Sequence, residues 1–132
     1  MRYEAKLSHL SRILDDSDKE LERLQISQAE KEKFRLALEE AIVNIMHYAY
    51  PEKDQKPLEI VFKKEKELLI VEIRDWGVAF DPSASSKKVD ESLSLEERPI
   101  GGLGIIFIKK MVDKMQYRRD KDCNELILIK KI

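Results

Sequence analysis

A carboxylate and a carboxamide lie four positions apart, at Glu40 and Asn44, within one predicted helix of this sequence. Apolar residues recur around them at helical spacing, so the two side chains should project from the same edge of a largely buried helix. A carboxylate can take a proton from a nucleophile, and a carboxamide oxygen can bind a hard cation such as Mg²⁺. The same pair also occurs on solvated helix faces, and the spacing alone leaves both interpretations open.

Two later stretches favour a site. An alternating strand that begins near Val71 runs into Asp75 and Gly77, which places acceptor oxygens at a strand end. Further on, Gly101, Gly102 and Gly104 lead into an amphipathic helix. Backbone N–H groups at a glycine-rich helix start can bind an anion, and phosphate is the expected occupant.

In this order the three stretches resemble the nucleotide-binding boxes of the ATPase superfamily shared by DNA gyrase, heat-shock chaperones and sensor histidine kinases. Within it they are most similar to the bacterial anti-sigma-factor serine/threonine kinases. The matching motifs are Glu40-x-x-x-Asn44, then Asp75-x-Gly77 with Phe80-Asp81-Pro82, and finally Gly102-x-Gly104-Ile105. The sequence departs from the family at Tyr48, where many relatives have a His that here stands one place earlier, at His47, and at Ala79, where the superfamily often has a second glycine.

The resemblance implies a role for each box. Glu40 would act as general base, and Asn44 would coordinate Mg²⁺ and so bind the nucleotide. Asp75 would accept a hydrogen bond from the exocyclic amine of adenine, which favours ATP over GTP, and Gly77 would leave room for the base. The third box, with Gly102, Leu103, Gly104 and Ile105, would bring backbone to the phosphates, where a Cβ would intrude.

Length and charge restrict the function further. A chain of 132 residues is predicted to form one domain, 1–132, without the second domain of gyrase-like and chaperone relatives. With 25 basic and 26 acidic residues it shows no nucleic-acid footprint or polybasic membrane patch. One cysteine, no apolar leader and no membrane-spanning stretch predict a cytoplasmic protein.

The remaining pattern predicts the elements that position these residues. A short strand at Arg2 to Lys6 should precede a helix over Leu7 to Leu24, and the acidic run from Asp15 could interrupt that helix. Ser27 and Glu30 form a capping box, which predicts the start of the central helix. Two hairpins and the helix after the third box complete the pattern. We expect an α/β two-layer sandwich, with three helices on one face of a mainly antiparallel sheet of about four strands, as in the histidine-kinase-like ATPase (Bergerat) fold.

The stretch 83–99 is polar and long for a connection within a compact domain, which favours an ATP lid over a plain surface loop. Arg98 at its end could reach the terminal phosphate. Trp76 is interpreted as partly covered surface rather than as a platform for adenine.

Three function classes remain open. The first is a serine/threonine kinase that phosphorylates an anti-sigma antagonist and controls a sigma factor, with a homodimer implied by the resemblance. The second is a nucleotide-gated binding module without catalysis. The third, a detached catalytic domain of a sensor histidine kinase, is disfavoured because no phosphoacceptor helix pair is found and His9 lacks the expected motif.

Overall fold

The computed structural model describes residues 1–50, 56–79, 81 and 102–132, without the side chains of 102–104. Within this part of the chain, secondary structure runs as β1 (Arg2–Glu4), a 3-10 turn (Leu7–His9), α1 (Leu10–Arg23), α2 (Gln28–Asn44), a π-helical turn (Ile45–Ala49), β2 (Pro57–Glu65), β3 (Leu68–Asp75), α3 (Gly102–Met111), β4 (Lys114–Asp120) and β5 (Cys123–Lys131). The proposed lid at 83–99, with Arg98, lies outside the described residues, as do Phe80 and Pro82.

The described strands form one sheet in the order β1-β2-β3-β5-β4, and every neighbouring pair is antiparallel. The predicted antiparallel sheet with three helices is therefore confirmed. The sheet has five strands in the described residues rather than about four, because β1 joins its edge, where Tyr3 pairs with Leu58.

Helix α1 is continuous from Leu10 to Arg23, so the expected interruption at the acidic run is wrong. The acidic side chains find partners outside the helix instead of competing for its backbone. The Tyr3 hydroxyl donates to Asp16 at 2.7 Å, and the Arg35 guanidinium pairs with Asp15 at 3.1 Å and with Asp18. These contacts connect α1 to β1 and α2.

Helix α2 begins where the capping box predicts. The Ser27 hydroxyl accepts a hydrogen bond from the Glu30 amide at 3.3 Å, which satisfies one free N–H of the first turn. The reciprocal half of the box is not formed, since Glu30 Oε2 is buried and has no partner in the described part of the chain. The start of α2 is thus set by one capping bond.

The core lies between the helices and one face of the sheet. Alternate residues of β2 and β3 are buried, and α2 contributes the large side chains Phe34, Leu38 and Ile42 at helical spacing. Helix α3 packs against α2, with Ile105 and Ile108 buried. Among the described helices, none is long and apolar enough to cross a bilayer.

Candidate functional site

Glu40 lies on the last turns of α2 and is half-buried. Its carboxylate forms no hydrogen bond or ion pair with the described part of the chain. Burial raises the pKa of Glu40 above its ordinary value, and the neighbouring charge of Glu39 raises it further. An unpaired carboxylate whose basicity is increased in this way is suited to accept a proton.

Asn44 is the last residue of α2 and only 2% exposed. Its Nδ2 is buried without a partner, and its side chain forms no hydrogen bond within the residues that the structure describes. A buried carboxamide without a protein partner requires an explanation. The residue fits a Mg²⁺ ligand, because its oxygen is not engaged by the fold and Mg²⁺ usually takes only one or two protein ligands beside waters and phosphates.

The chain after Asn44 winds into a π-helical turn, Ile45–Ala49, which the sequence did not reveal. The Tyr50 amide closes it by donating to the Ile45 carbonyl at 3.1 Å. Such turns are rare and are frequently found at functional sites. Here the turn leaves His47 exposed on the surface and buries Ala49 and Tyr50.

The π-helical turn contacts the second box directly. The Val78 amide donates to the Ala49 carbonyl at 2.9 Å, and a Cβ on Gly77 would lie only 2.1 Å from that carbonyl oxygen. Glycine at position 77 is therefore required by the close approach of two backbone segments. This requirement holds without any bound adenine. It is a second reason for glycine at this position, beside the room for the base that the family resemblance implies.

Asp75 ends β3 and is 3% exposed. Its Oδ1 accepts two hydrogen bonds, from the Gly77 amide at 2.9 Å and from Asn124 Nδ2 at 2.8 Å, whereas Oδ2 accepts none from the described residues. Burial raises the pKa of Asp75, and these two hydrogen bonds partly oppose the rise. One carboxylate oxygen is thus held by the protein, and the other remains for a donor on a ligand.

Asn124 was missed by the sequence reasoning. It lies on β5 directly opposite Asp75 and is 3% exposed. Its Oδ1 accepts from the Tyr117 hydroxyl at 2.6 Å and from Arg119 at 3.0 Å, so its Nδ2 must face Asp75 and the Val78 carbonyl, at 2.8 Å each. The available signal was an Asn near the start of a strand whose centre, Leu126 to Ile129, is apolar, because Asn is uncommon in strands.

The third box begins α3. Gly102 is the first helical residue, which places Gly104 in the first turn. Ile105 is 1% exposed, so any contact it makes with nucleotide must come from its backbone. The first-turn N–H groups of a helix have no partner within that helix, which agrees with the predicted phosphate contact without testing it.

Trp76 and His47, which the sequence analysis also considered, lie nearer the protein surface than Asn44 and Asp75. Trp76 is half-buried, and the Arg2 guanidinium lies 5.5 Å from the centroid of its ring, as expected for partly covered surface. His47 is exposed and makes no hydrogen bond with the described residues. Neither observation assigns the side chain a role in nucleotide binding.

Comparisons with known proteins bear on the family to which this chain belongs. The family described as the histidine kinase-like ATPase domain matches residues 3–130. A serine-protein kinase RsbW of Bacillus cereus is 32% identical over 108 residues, which cover 80% of this chain and 67% of the relative. The RsbW protein of Bacillus mycoides is 31% identical over 108 residues, with the same coverage of both chains.

Among solved structures, the SiaB-SiaC complex from Pseudomonas aeruginosa matches with a TM-score of 0.69 and 14% identity, over 98% of this chain and 86% of that chain. This likeness concerns the fold alone. The resemblance drawn from the three boxes is confirmed by the sequence relatives. Because the family match extends from residue 3 to residue 130, the chain belongs to the histidine kinase-like ATPase domain family, among the relatives of the RsbW serine-protein kinases.

Proposed function

We propose that this protein is an ATP-dependent serine/threonine protein kinase of the anti-sigma-factor type. Its substrate is an anti-sigma antagonist protein, and phosphorylation of the antagonist controls whether the kinase binds a sigma factor. The relatives named serine-protein kinase RsbW support the activity class. The observation that carries the proposal is the pair Glu40 and Asn44, two polar side chains one helical turn apart that form no hydrogen bond with the described residues.

Nucleotide selection is assigned to Asp75. Its Oδ2 is the oxygen left for a ligand donor, and an ionised carboxylate oxygen can only accept. The exocyclic amine of adenine is a donor, whereas guanine has a carbonyl at that position. ATP should therefore be bound far more tightly than GTP.

Phosphoryl transfer requires in-line positioning and a group that accepts the proton of the attacking hydroxyl. Asn44 would hold Mg²⁺, which supplies neutralisation of phosphate charge. Glu40 is the base: the substrate serine or threonine loses its proton to Glu40 as its oxygen bonds to the γ-phosphorus and the bond to ADP breaks. The increased basicity of Glu40 in its half-buried position favours this transfer.

The backbone of Gly102, Leu103, Gly104 and Ile105 is proposed to line the phosphates, and Arg98 to approach the terminal phosphate. We also propose that the protein binds a sigma factor and forms a homodimer. These assignments follow the family pattern and not a contact in the structure.

The variant Glu40→Gln tests the proposal. Glutamine keeps the size of the side chain but cannot take a proton at neutral pH. We expect Mg-ATP affinity within a few-fold of the parent, measured by calorimetry, and loss of phosphate transfer to a purified antagonist, measured by intact mass. Asn44→Ala serves as the contrasting variant, because it should lose Mg²⁺-dependent nucleotide affinity as well as transfer.

The antagonist is obtained by capture from source-cell extract on the immobilised parent with and without ATP, followed by purification and mass-spectrometric mapping of the phosphate. Phosphorylation by Glu40→Gln at the parent rate removes Glu40 from the base role. A parent that binds the antagonist but never phosphorylates it is a nucleotide-gated binding module, and phosphate found on histidine would favour the sensor-kinase class.

A further inference from the structure

The Tyr50 hydroxyl connects three elements around the proposed nucleotide site. Tyr50 follows the π-helical turn and is 5% exposed. Its hydroxyl donates to the carbonyl of Pro57, the first residue of β2, and accepts from the amide of Trp76, each at 2.7 Å. Trp76 immediately follows Asp75, so this one hydroxyl connects the end of the α2 segment to the start of the adenine box.

A second hydrogen bond on the other side of Gly77 joins the same two segments. The Val78 amide donates to the Ala49 carbonyl at 2.9 Å. Of the two amides that flank Gly77, the Trp76 amide thus donates to Tyr50 and the Val78 amide donates to Ala49. Neither bond uses the side chain of Asn44 or Asp75, so the two bonds fix relative position and leave the proposed ligand-binding groups unoccupied.

Tyrosine is suited to this place for a chemical reason. A phenol keeps its proton at neutral pH, and burial, which raises the pKa of Tyr50 to about 12, favours this neutral form further. A neutral phenol can donate one hydrogen bond and accept another at the tip of a rigid ring. Phenylalanine would fill the same space but leave the Trp76 amide and the Pro57 carbonyl without this partner.

We propose that Tyr50 is a positioning residue that keeps Asn44 and Asp75 in register, so that a single nucleotide is bound at its base and at its Mg²⁺-bearing phosphates together. The inference rests on the proposed function. When two groups hold the two ends of one ligand, the ligand binds more tightly than to either group alone, and this gain in affinity depends on the fixed separation of the two groups. A looser connection between α2 and β3 would reduce that gain without removing either group.

The measurable quantity is the factor by which Mg²⁺ tightens ATP binding, obtained from calorimetric titrations in Mg²⁺ and in EDTA. This factor reports whether the Asn44 end and the Asp75 end bind the same nucleotide simultaneously. In Tyr50→Phe we expect it to fall by about fivefold or more, the low end of typical coupling between sites. A residue that only supported the fold would lower the melting temperature and leave the factor unchanged.

Tyr3→Phe is the matched control. It removes a partly buried hydroxyl that donates to Asp16 at 2.7 Å in the contact between β1 and α1. We expect this variant to lose stability while its Mg²⁺ factor stays within twofold of the parent. An unchanged factor in folded Tyr50→Phe would overturn the coupling role alone, whereas a parent that binds no ATP would overturn the proposed function and this inference with it.

A second measurement decides the question if Tyr50→Phe does not fold. Hydrogen exchange of the Trp76 and Val78 amides is followed in the ATP-bound parent before and after Mg²⁺ is added. Because these amides bond to Tyr50 and Ala49, occupation of the Asn44 end should slow their exchange. Equal exchange rates with and without Mg²⁺ would contradict the coupling.

Discussion

Asp75→Asn should make the protein more stable at neutral pH and at the same time remove most of its affinity for ATP. The buried carboxylate has a pKa raised by burial, so its ionised form destabilises the folded state. A carboxamide of the same shape carries no charge. Its Oδ1 can still accept the hydrogen bonds from Gly77 and Asn124, which preserves the local fold.

The sign of the pH dependence follows from linkage. Because the folded-state pKa of Asp75 is raised, its contribution to stability is complete below the unfolded pKa, about 3.9, and is lost as the pH rises through the folded-state pKa. The Asn variant lacks this titration. Its advantage in the free energy of unfolding should therefore be absent at acid pH and appear as the pH rises towards neutrality.

The loss of ATP affinity can be bounded from the same geometry. Oδ2 is the acceptor left for the adenine amine, and in the variant an NH₂ group can take its place and face another donor. A hydrogen bond to a charged group contributes about 1.5–3 kcal/mol, which corresponds to a rise in Kd of about 10- to 150-fold. GTP, which lacks the donor, should lose much less.

Urea unfolding from acid to neutral pH and calorimetric titration with ATP and GTP measure both effects. Asp120→Asn is the control, since it removes an exposed carboxylate at the end of β4 and should change neither quantity appreciably. An Asp75→Asn protein that is less stable than the parent at neutral pH and binds ATP equally well would refute the reasoning.

Three further variants test particular contacts. Gly77→Ala places a Cβ against the Ala49 carbonyl and should lower the free energy of unfolding by about 1–3 kcal/mol in urea titrations. Asn124→Ala leaves Asp75 with one hydrogen bond fewer; it should weaken ATP binding by calorimetry and cost about 1–3 kcal/mol of stability. Ser27→Ala removes the α2 cap and should cost about 0.5–2 kcal/mol of stability without changing ATP affinity. Parent-like stability in all three would contradict the geometry.

The parts of the structure that were predictable depend on neighbours in sequence. Ser27 caps α2 because its hydroxyl reaches an amide three residues later, and the alternation in β2 and β3 follows from one buried face. The same locality placed Glu40 and Asn44 on one edge of α2. The predicted interruption of α1 at its acidic run was wrong because the partner of that run, Arg35, comes from another helix.

The parts that were missed depend on pairings between distant residues. Asn124 meets Asp75 only because β5 lies next to β3, and nothing within either strand reports that register. The π-helical turn after Asn44 is tied to the same box through Ala49 and Val78. Sequence spacing could identify the boxes, but it could not show that the turn after the first box touches the second box through its backbone.

The buried polar residues differ in whether the protein supplies their hydrogen-bond partners; in the partly exposed residues Glu30 and Arg74, single buried atoms also lack one in the described chain. The buried polar residues that the structure describes are Ser17, Lys31, Asn44, Asp75, Asn124 and Glu125. Ser17, Lys31 and Glu125 have partners in the protein, at the Ile13 carbonyl, Glu22 and Arg118.

Asn44, by contrast, has no hydrogen-bond partner in the described chain, and Asp75 keeps one oxygen without a donor. The Asn44 Nδ2 donor is itself buried, and a buried donor left in this state destabilises the folded protein unless an acceptor binds it. Both residues lie where ATP is proposed to bind: Asn44 ends α2 and Asp75 ends β3, the two segments that Tyr50 connects. A ligand that engages both side chains should stabilise the fold through its binding equilibrium. Mg-ATP should therefore raise the melting temperature more than ATP in EDTA does, because the Asn44 oxygen is a ligand for Mg²⁺.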